Sequence, residues 1–304
     1  MGTRSPSHRL PVKYLVARFE RRRQLLDAGV FLGYCRRMTQ TKIGEFVTIA
    51  RNGAVATVTM DRGDGRNALS RQLILELTQA AKSFADDIET HVVILVGAGA
   101  FTAGADLKDP GLDRRRADGL LERRRMVRIG PDLCDAWERM EQVTLCAIEK
   151  YCIGGGVALA AACDFRIVAA DAHLRLPEVP LGMNMSWHAV PRLVSLIGPA
   201  RTKQFTMFGE KLEAAAALAW GMVEEVAPAG QALARAKDWA ARLAKLPPNA
   251  VRMTKQSVNA AANALHHATT FMDADQYALA TTSEDYREAI KAFTEKRPPK
   301  FTGK

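Results

Sequence analysis

The sequence predicts an α/β fold whose sheet is covered on both faces, and three observations predict it. Val92-Val93-Ile94-Leu95-Val96 and Thr144-Leu145-Cys146-Ala147-Ile148 are short apolar runs without polar alternation, the pattern of buried strands. A segment over 73–84 carries apolar residues at helical spacing, with Ser70 placed to cap it, so strand and helix periods alternate along the chain. Each apolar run leads into a glycine turn, Phe101-Thr102-Ala103-Gly104-Ala105-Asp106 after the first and Ile153-Gly154-Gly155-Gly156-Val157-Ala158 after the second.

The elements follow in order. Residues 1–37 hold nine Lys or Arg and two acids, a net of +7 out of the chain's +10, which leaves +3 for the rest. This Arg-rich extension is expected to reflect a mis-assigned start codon or to be a disordered leader, with targeting or partner binding as the alternative; Met38 stands just before the body. Residues 46–60 form a hairpin, because β-branched residues alternate on both sides of Asn52-Gly53. The segment 111–128, with Arg114-Arg115-Arg116 and Arg123-Arg124-Arg125, is expected as a solvated helix or a mobile flap over a site. A helix is expected over 156–163. Beyond Pro228 the pattern is Ala-rich and helical over 231–246, 249–264, 269–280 and 283–294, with Pro247-Pro248 separating the first two.

Composition bounds the function. A body net charge of +3 suits a polyanionic small molecule at least as well as nucleic acid, and no apolar stretch approaches the roughly 18 residues that span a bilayer. Five cysteines, Cys35, Cys134, Cys146, Cys152 and Cys163, fall at no metal-ligand spacing and are expected as reduced thiols in the cytoplasm. No dinucleotide fingerprint, phosphate loop, His-Glu-x-x-His or Gly-x-Ser-x-Gly elbow occurs, and no metal site is expected. What remains is the pair of glycine turns. Two turns without side chains can aim two backbone N–H groups at one oxygen, which is how an oxyanion hole is built.

At these residues the chain resembles the enoyl-CoA hydratase/isomerase, or crotonase, superfamily over roughly residues 43–304. The resemblance rests on Arg66-Asn67-Ala68-Leu69, the two glycine turns, Cys163-Asp164-Phe165-Arg166, Leu176-Pro177-Glu178-Val179-Pro180-Leu181-Gly182, Ile197-Gly198-Pro199-Ala200 and Phe293-Thr294-Glu295-Lys296, in that order. It implies a crotonase-like spiral of repeated β-β-α units over 38–228. A helical C-terminal domain over 229–304 would follow and pack subunits into a homotrimer or a dimer of trimers. No such repeat is visible in the letters themselves.

The resemblance also implies the site. Ala105 and Gly155 supply the two N–H groups of the oxyanion hole. Arg66, Ala68, Ala103, Gly104, Asp106 and Lys108 match positions that hold adenine and pantetheine, and Phe293 and Lys296 match residues that close over the CoA phosphate. The implied ligand is an acyl-CoA thioester, as substrate and not as a permanently bound cofactor; neither nucleic acid nor membrane is expected as a partner. Hydratases of this family place two glutamates around one water. Glu178 matches one of them, but the other falls on Ala158, which carries no proton. One carboxylate suffices to move a proton from C2 to C4 of a 3-enoyl-CoA, so isomerisation is expected. The alternatives are a hydratase with a substitute acid and a weakly active acyl-CoA binding protein. Trp187 and His188 stand where the family has glycines, near the expected acyl pocket, either shaping it or, for His188, supplying a proton.

Overall fold

The structure, a computed structural model, describes residues 39–110 and 119–304; the basic extension and the segment 111–118 lie outside it. Strands β1 (Thr39–Ile43), β2 (Val47–Asn52) and β3 (Val55–Met60) form an antiparallel meander, with Asn52 opposite Val55 across the expected turn and Gly53 at φ 61°. The remaining strands are β4 (Val92–Gly97), β5 (Val143–Ile148), β6 (Tyr151–Ile153), β7 (Phe165–Ala169), β8 (His173–Arg175), β9 (Lys211–Glu213) and β10 (Glu225–Ala227). The main sheet runs β1-β2-β3-β4-β5-β7-β10 and is parallel from β3 onward. A second sheet runs β6-β8-β9.

The β-β-α repeat is visible in this topology. β5 then β6, and β7 then β8, each place one strand in the main sheet and the next in the second, with β5 beside β7 and β6 beside β8. One turn earlier, the chain after β4 joins the second sheet through the bridge between Thr102 and Cys152.

The helices are α1 (Arg71–Lys82), α2 (Leu120–Glu138), α3 (Gly155–Ala162), α4 (Ala189–Phe208), α5 (Ala214–Trp220), α6 (Ala232–Leu243), α7 (Pro248–Ala262), α8 (His266–Thr270), α9 (Asp273–Ala280) and α10 (Glu284–Glu295). Ser70 and Ser283 cap α1 and α10, each accepting a backbone N–H three residues on. Every residue of β4 and β5 is buried, since helices cover the sheet. On one face α6 packs against β4, β5 and β7 and sinks Ala232, Ala236 and Ala240 into the same core as the strands.

One expected helix, 269–280, is two. Nothing in the letters Phe271-Met272 breaks a helix. The break comes from Asp273, whose Oδ2 accepts the Ser186 hydroxyl at 2.7 Å and the His188 N–H at 3.1 Å, so the chain restarts there as α9. A tertiary contact has overridden local propensity. The three-residue strands of the second sheet are too short for their alternation to register in sequence.

Trp137 on α2 is fully buried in the core and donates its indole N–H to Leu77 O of α1 at 3.2 Å. Trp137→Ala removes both the packing and the bond that lock α2 to α1. Urea unfolding of the variant is expected to show a loss of about 3–5 kcal/mol.

Candidate active site

The two glycine turns meet. β4 and β5 are parallel neighbours, with Val96 opposite Ala147, so the turns that follow them leave the sheet at the same end. Thr102 donates its hydroxyl to Asn67 O at 2.6 Å and accepts the Gly104 N–H at 3.1 Å, while Gly154 N–H is held by Arg175 O at 2.8 Å. Gly104 has φ 85°, and a Cβ there would lie 2.8 Å from Ile153 O; Gly154 has φ 56°. A Cβ on Gly154 would stand 4.0 Å from Gly104 Cα. Only glycine permits this approach. Neither Ala105 nor Gly155 gives its N–H to a protein acceptor among the described residues. Gly155 opens α3, an entirely buried eight-residue helix, so its N–H lies at the positive end of the helix dipole.

Glu178 approaches the same point. It ends the extended Leu176-Pro177 segment and enters a 3-10 turn over Val179–Leu181. Its Oε1 lies 2.8 Å from where a Cβ on Gly154 would be, and its Oε2 is buried with no hydrogen-bond partner among the described residues. The residue is half-buried as a whole; it is the carboxylate that is sealed. Burial pushes its pKa from 4.5 to about 7, opposed only by a bond to its own backbone N–H. Ala158, one turn along α3 from Gly155, is fully buried.

A cavity of about 830 Å³ opens beside these turns, between the loop after β4, α2 and the C-terminal helices α9 and α10. Of the residues expected from sequence, Ala105, Asp106, Lys108 and Trp187 line it. Arg66, Ala68 and Ala103 belong to the loop network beside it: Arg66 O accepts the Ala103 N–H at 2.9 Å, and Arg62 bonds Ala68 O and Asp106, both at 2.7 Å. Asn67, fully buried at φ 50°, ties this loop to Ala98 O and Ala100 O.

His188 does not line the cavity. Its Nδ1 lies 3.0 Å from Asp135 Oδ1, in a network where Arg192 also bonds Asp135 at 2.9 Å and Glu138 at 2.8 Å. Although burial opposes ionisation of Asp135, bonds from His188 and Arg192 hold its carboxyl at about 2. Phe293 and Lys296 are exposed and do not line the cavity either. Sequence reasoning passed over Arg123, Tyr286, Arg287 and Lys291, which do. The signal was present for the last three: positions 286, 287, 290 and 291 share one face of α10.

Two N–H groups free among the described residues, that of Gly155 at a helix start and that of Ala105 in the loop after β4, beside one sealed carboxylate, define a site that can hold charge on a carbonyl oxygen while a proton moves next to it. The chain belongs to the enoyl-CoA hydratase/isomerase family, whose model matches residues 50–304. A probable enoyl-CoA hydratase of Mycobacterium bovis is 32% identical over 262 residues, covering 85% of this chain and 98% of its own. The short-chain-enoyl-CoA hydratase of Clostridium acetobutylicum is 29% identical, covering 83% of this chain and 95% of its own. The crystal structure of an enoyl-CoA hydratase from Mycobacterium avium subsp. paratuberculosis superposes with a TM-score of 0.75 at 28% identity, over 85% of this chain and 99% of that one.

The state of Glu178 has a consequence for stability. Its folded pKa is raised, so the folded form is favoured fully below about 4.5 and that advantage is lost as pH rises through about 7. Glu178→Gln is expected to melt like the parent near about pH 4 and to be more stable near about pH 8, by on the order of 3 kcal/mol. Melting curves at both pH values check the sign; a destabilised variant at the higher pH contradicts it.

Proposed function

We propose that the protein converts 3-enoyl-CoA thioesters to 2-enoyl-CoA thioesters, with Glu178 as the one proton-transfer group. The observation that carries this reading is the sealed Glu178 carboxylate beside two N–H groups that are free among the described residues, with an alanine at position 158. The thioester oxygen accepts from Ala105 and Gly155. Glu178 takes a proton from C2, the oxygen carries the dienolate charge, and the same carboxyl returns the proton at C4. No atoms are gained or lost, and no resident cofactor is required. An N–H donor of this kind is worth about 2.7–4 kcal/mol in the transition state.

The cations of the cavity support a CoA carrier. Lys108, Arg123, Arg287 and Lys291 line it, and Arg123 Nε is buried with no hydrogen-bond partner among the described residues. Arg66, Ala68, Ala103 and Gly104 form the nucleotide and pantetheine loops in this reading, and Phe293 and Lys296 close over the phosphate. We read the protein as a homotrimer or dimer of trimers, which the exposed Met253, Val258, Leu265, Phe271 and Leu279 of α7 to α9 and their connections support. Buried free thiols at Cys134, Cys146, Cys152 and Cys163 support a cytoplasmic setting.

Hydration is the second reading, favoured by the names of the relatives. It needs a second acid, and the His188 ring faces Asp135.

Incubation with a 3-enoyl-CoA and, separately, with crotonyl-CoA tests the proposal by absorbance of the conjugated thioester. A gain from the first is expected, with kcat/KM falling tenfold per pH unit below about 7 as Glu178 protonates. Glu178→Gln is expected to lower the rate about 10²–10⁴-fold with CoA affinity retained. Steady loss of crotonyl-CoA with no gain from the 3-enoyl thioester makes the protein a hydratase, and binding with neither change makes it a carrier.

A further inference from the structure

Trp187 occupies an unusual position. It and His188 both adopt left-handed backbone, at φ 64° and 54°, which is uncommon outside glycine and strained for a bulky side chain. The strain is held from several sides. Arg192, itself nearly sealed, donates to His188 O at 3.0 Å and to Trp187 O at 3.4 Å while pairing with Asp135 and Glu138. Asp273 takes the His188 N–H and the Ser186 hydroxyl.

What this turn achieves is the placement of one ring. A Cβ on Gly130 of α2 would lie 2.2 Å from the indole Cε2, and a Cβ on Gly155 of α3 would lie 2.7 Å from its Cη2 and Cζ3. The indole is therefore wedged between two glycines on two helices. It covers Gly155 on the side-chain side and leaves the N–H, which points along the helix axis. Helix side chains lean toward the N-terminus, and positions three apart share a face, so a side chain at 158 projects toward this ring. Trp187 lines the cavity together with Gly130, one of the two glycines that its ring meets.

We propose that Trp187 determines the outcome of the reaction: its indole fills the volume in which a second proton-transfer group and its water would stand, so the dienolate is reprotonated at C4 and the conjugated 2-enoyl thioester that results is not hydrated. This rests on the isomerase reading above. Isomerisation breaks C2–H and forms C4–H through Glu178. Hydration instead joins the oxygen of a water to C3 and a proton to C2, and it needs the space that the ring holds. The substrate class that follows is an unsaturated acyl thioester lying against an aromatic wall, away from bulk water.

A two-by-two comparison tests it, using the full chain with Ala158→Glu, Trp187→Ala, both and neither. The ratio of crotonyl-CoA hydration to 3-enoyl-CoA isomerisation is read on protein that melts cooperatively. Ala158→Glu alone is expected to leave the ratio within threefold of the parent, and the double variant to raise it at least tenfold. Trp187→Val is carried through the same series in case the alanine variants fold poorly, and Trp187→Phe, which keeps a ring, is expected to keep the parent ratio. A tenfold rise in Ala158→Glu with the indole intact overturns the proposal, as does an unchanged ratio in double variants that still bind acetyl-CoA with the parent affinity. Isomerisation that survives Glu178→Gln overturns the proposed function instead, and is distinguishable because it leaves the dependence of hydration on Trp187 to be read as before.

Discussion

The parallel pairing of β4 with β5 is the constraint on which the rest depends. Parallel neighbours end at the same edge of a sheet, so whatever follows each strand emerges beside whatever follows the other. Here both followers are turns without side chains, and a backbone approach of this closeness is open only to glycine. The second sheet fixes the detail. Thr102 bridges Cys152, so the first turn is stitched to the strand that precedes the second. With the turns locked together, the N–H groups of Ala105 and Gly155 are left without acceptors by the same geometry that satisfies their neighbours.

The electrostatics follow from that backbone arrangement. A buried carboxylate normally finds a cation or several N–H donors, and Asp135 does so through Arg192 and His188. Glu178 has neither. Its carboxylate is buried and its Oε2 is unpartnered among the described residues, which raises its proton affinity into the range useful to a base at neutral pH. The two carboxyls are ionised in opposite senses by their surroundings: one is held in place as a permanent anion that positions a turn, and the other is left able to take and release a proton.

Sequence disclosed the fold unevenly, and the reasons are physical. Long apolar runs and helical periods identify β4, β5, α1 and the C-terminal helices, because periodicity needs several residues to register. The strands of the second sheet have three residues each and give no such signal. The break between α8 and α9 depends on Asp273 reaching Ser186 and His188 across 85 or more positions, which no local pattern contains. At the site, the glycines and Glu178 were legible because their roles are attached to single positions. The cavity wall was not, because Arg123 of α2 and Tyr286 and Lys291 of α10 come to face one cavity only in the folded chain. The Trp187–Gly130 contact is of the same kind. The indole was conspicuous in the sequence, but the glycine that admits it lies 57 residues away and looks like an ordinary interruption of a charged helix.

The segment around Trp187 also shows how two non-glycine residues are held in a backbone conformation that favours glycine. Left-handed conformation costs a non-glycine residue of order 1–3 kcal/mol, and two consecutive residues here adopt it. A flexible loop would relax. This one is bonded at Ser186, at the His188 N–H, and at the carbonyls of Trp187 and His188, by Asp273 and by an Arg192 whose own charge is balanced by Asp135 and Glu138. Removing Arg192 would leave two half-buried carboxylates without its charge as well as releasing the turn, so the network resists piecemeal loss. The left-handed turn at Trp187 and His188 therefore depends on Gly130 and the Asp135–Glu138–Arg192 cluster together, and each member is intelligible only with the others present.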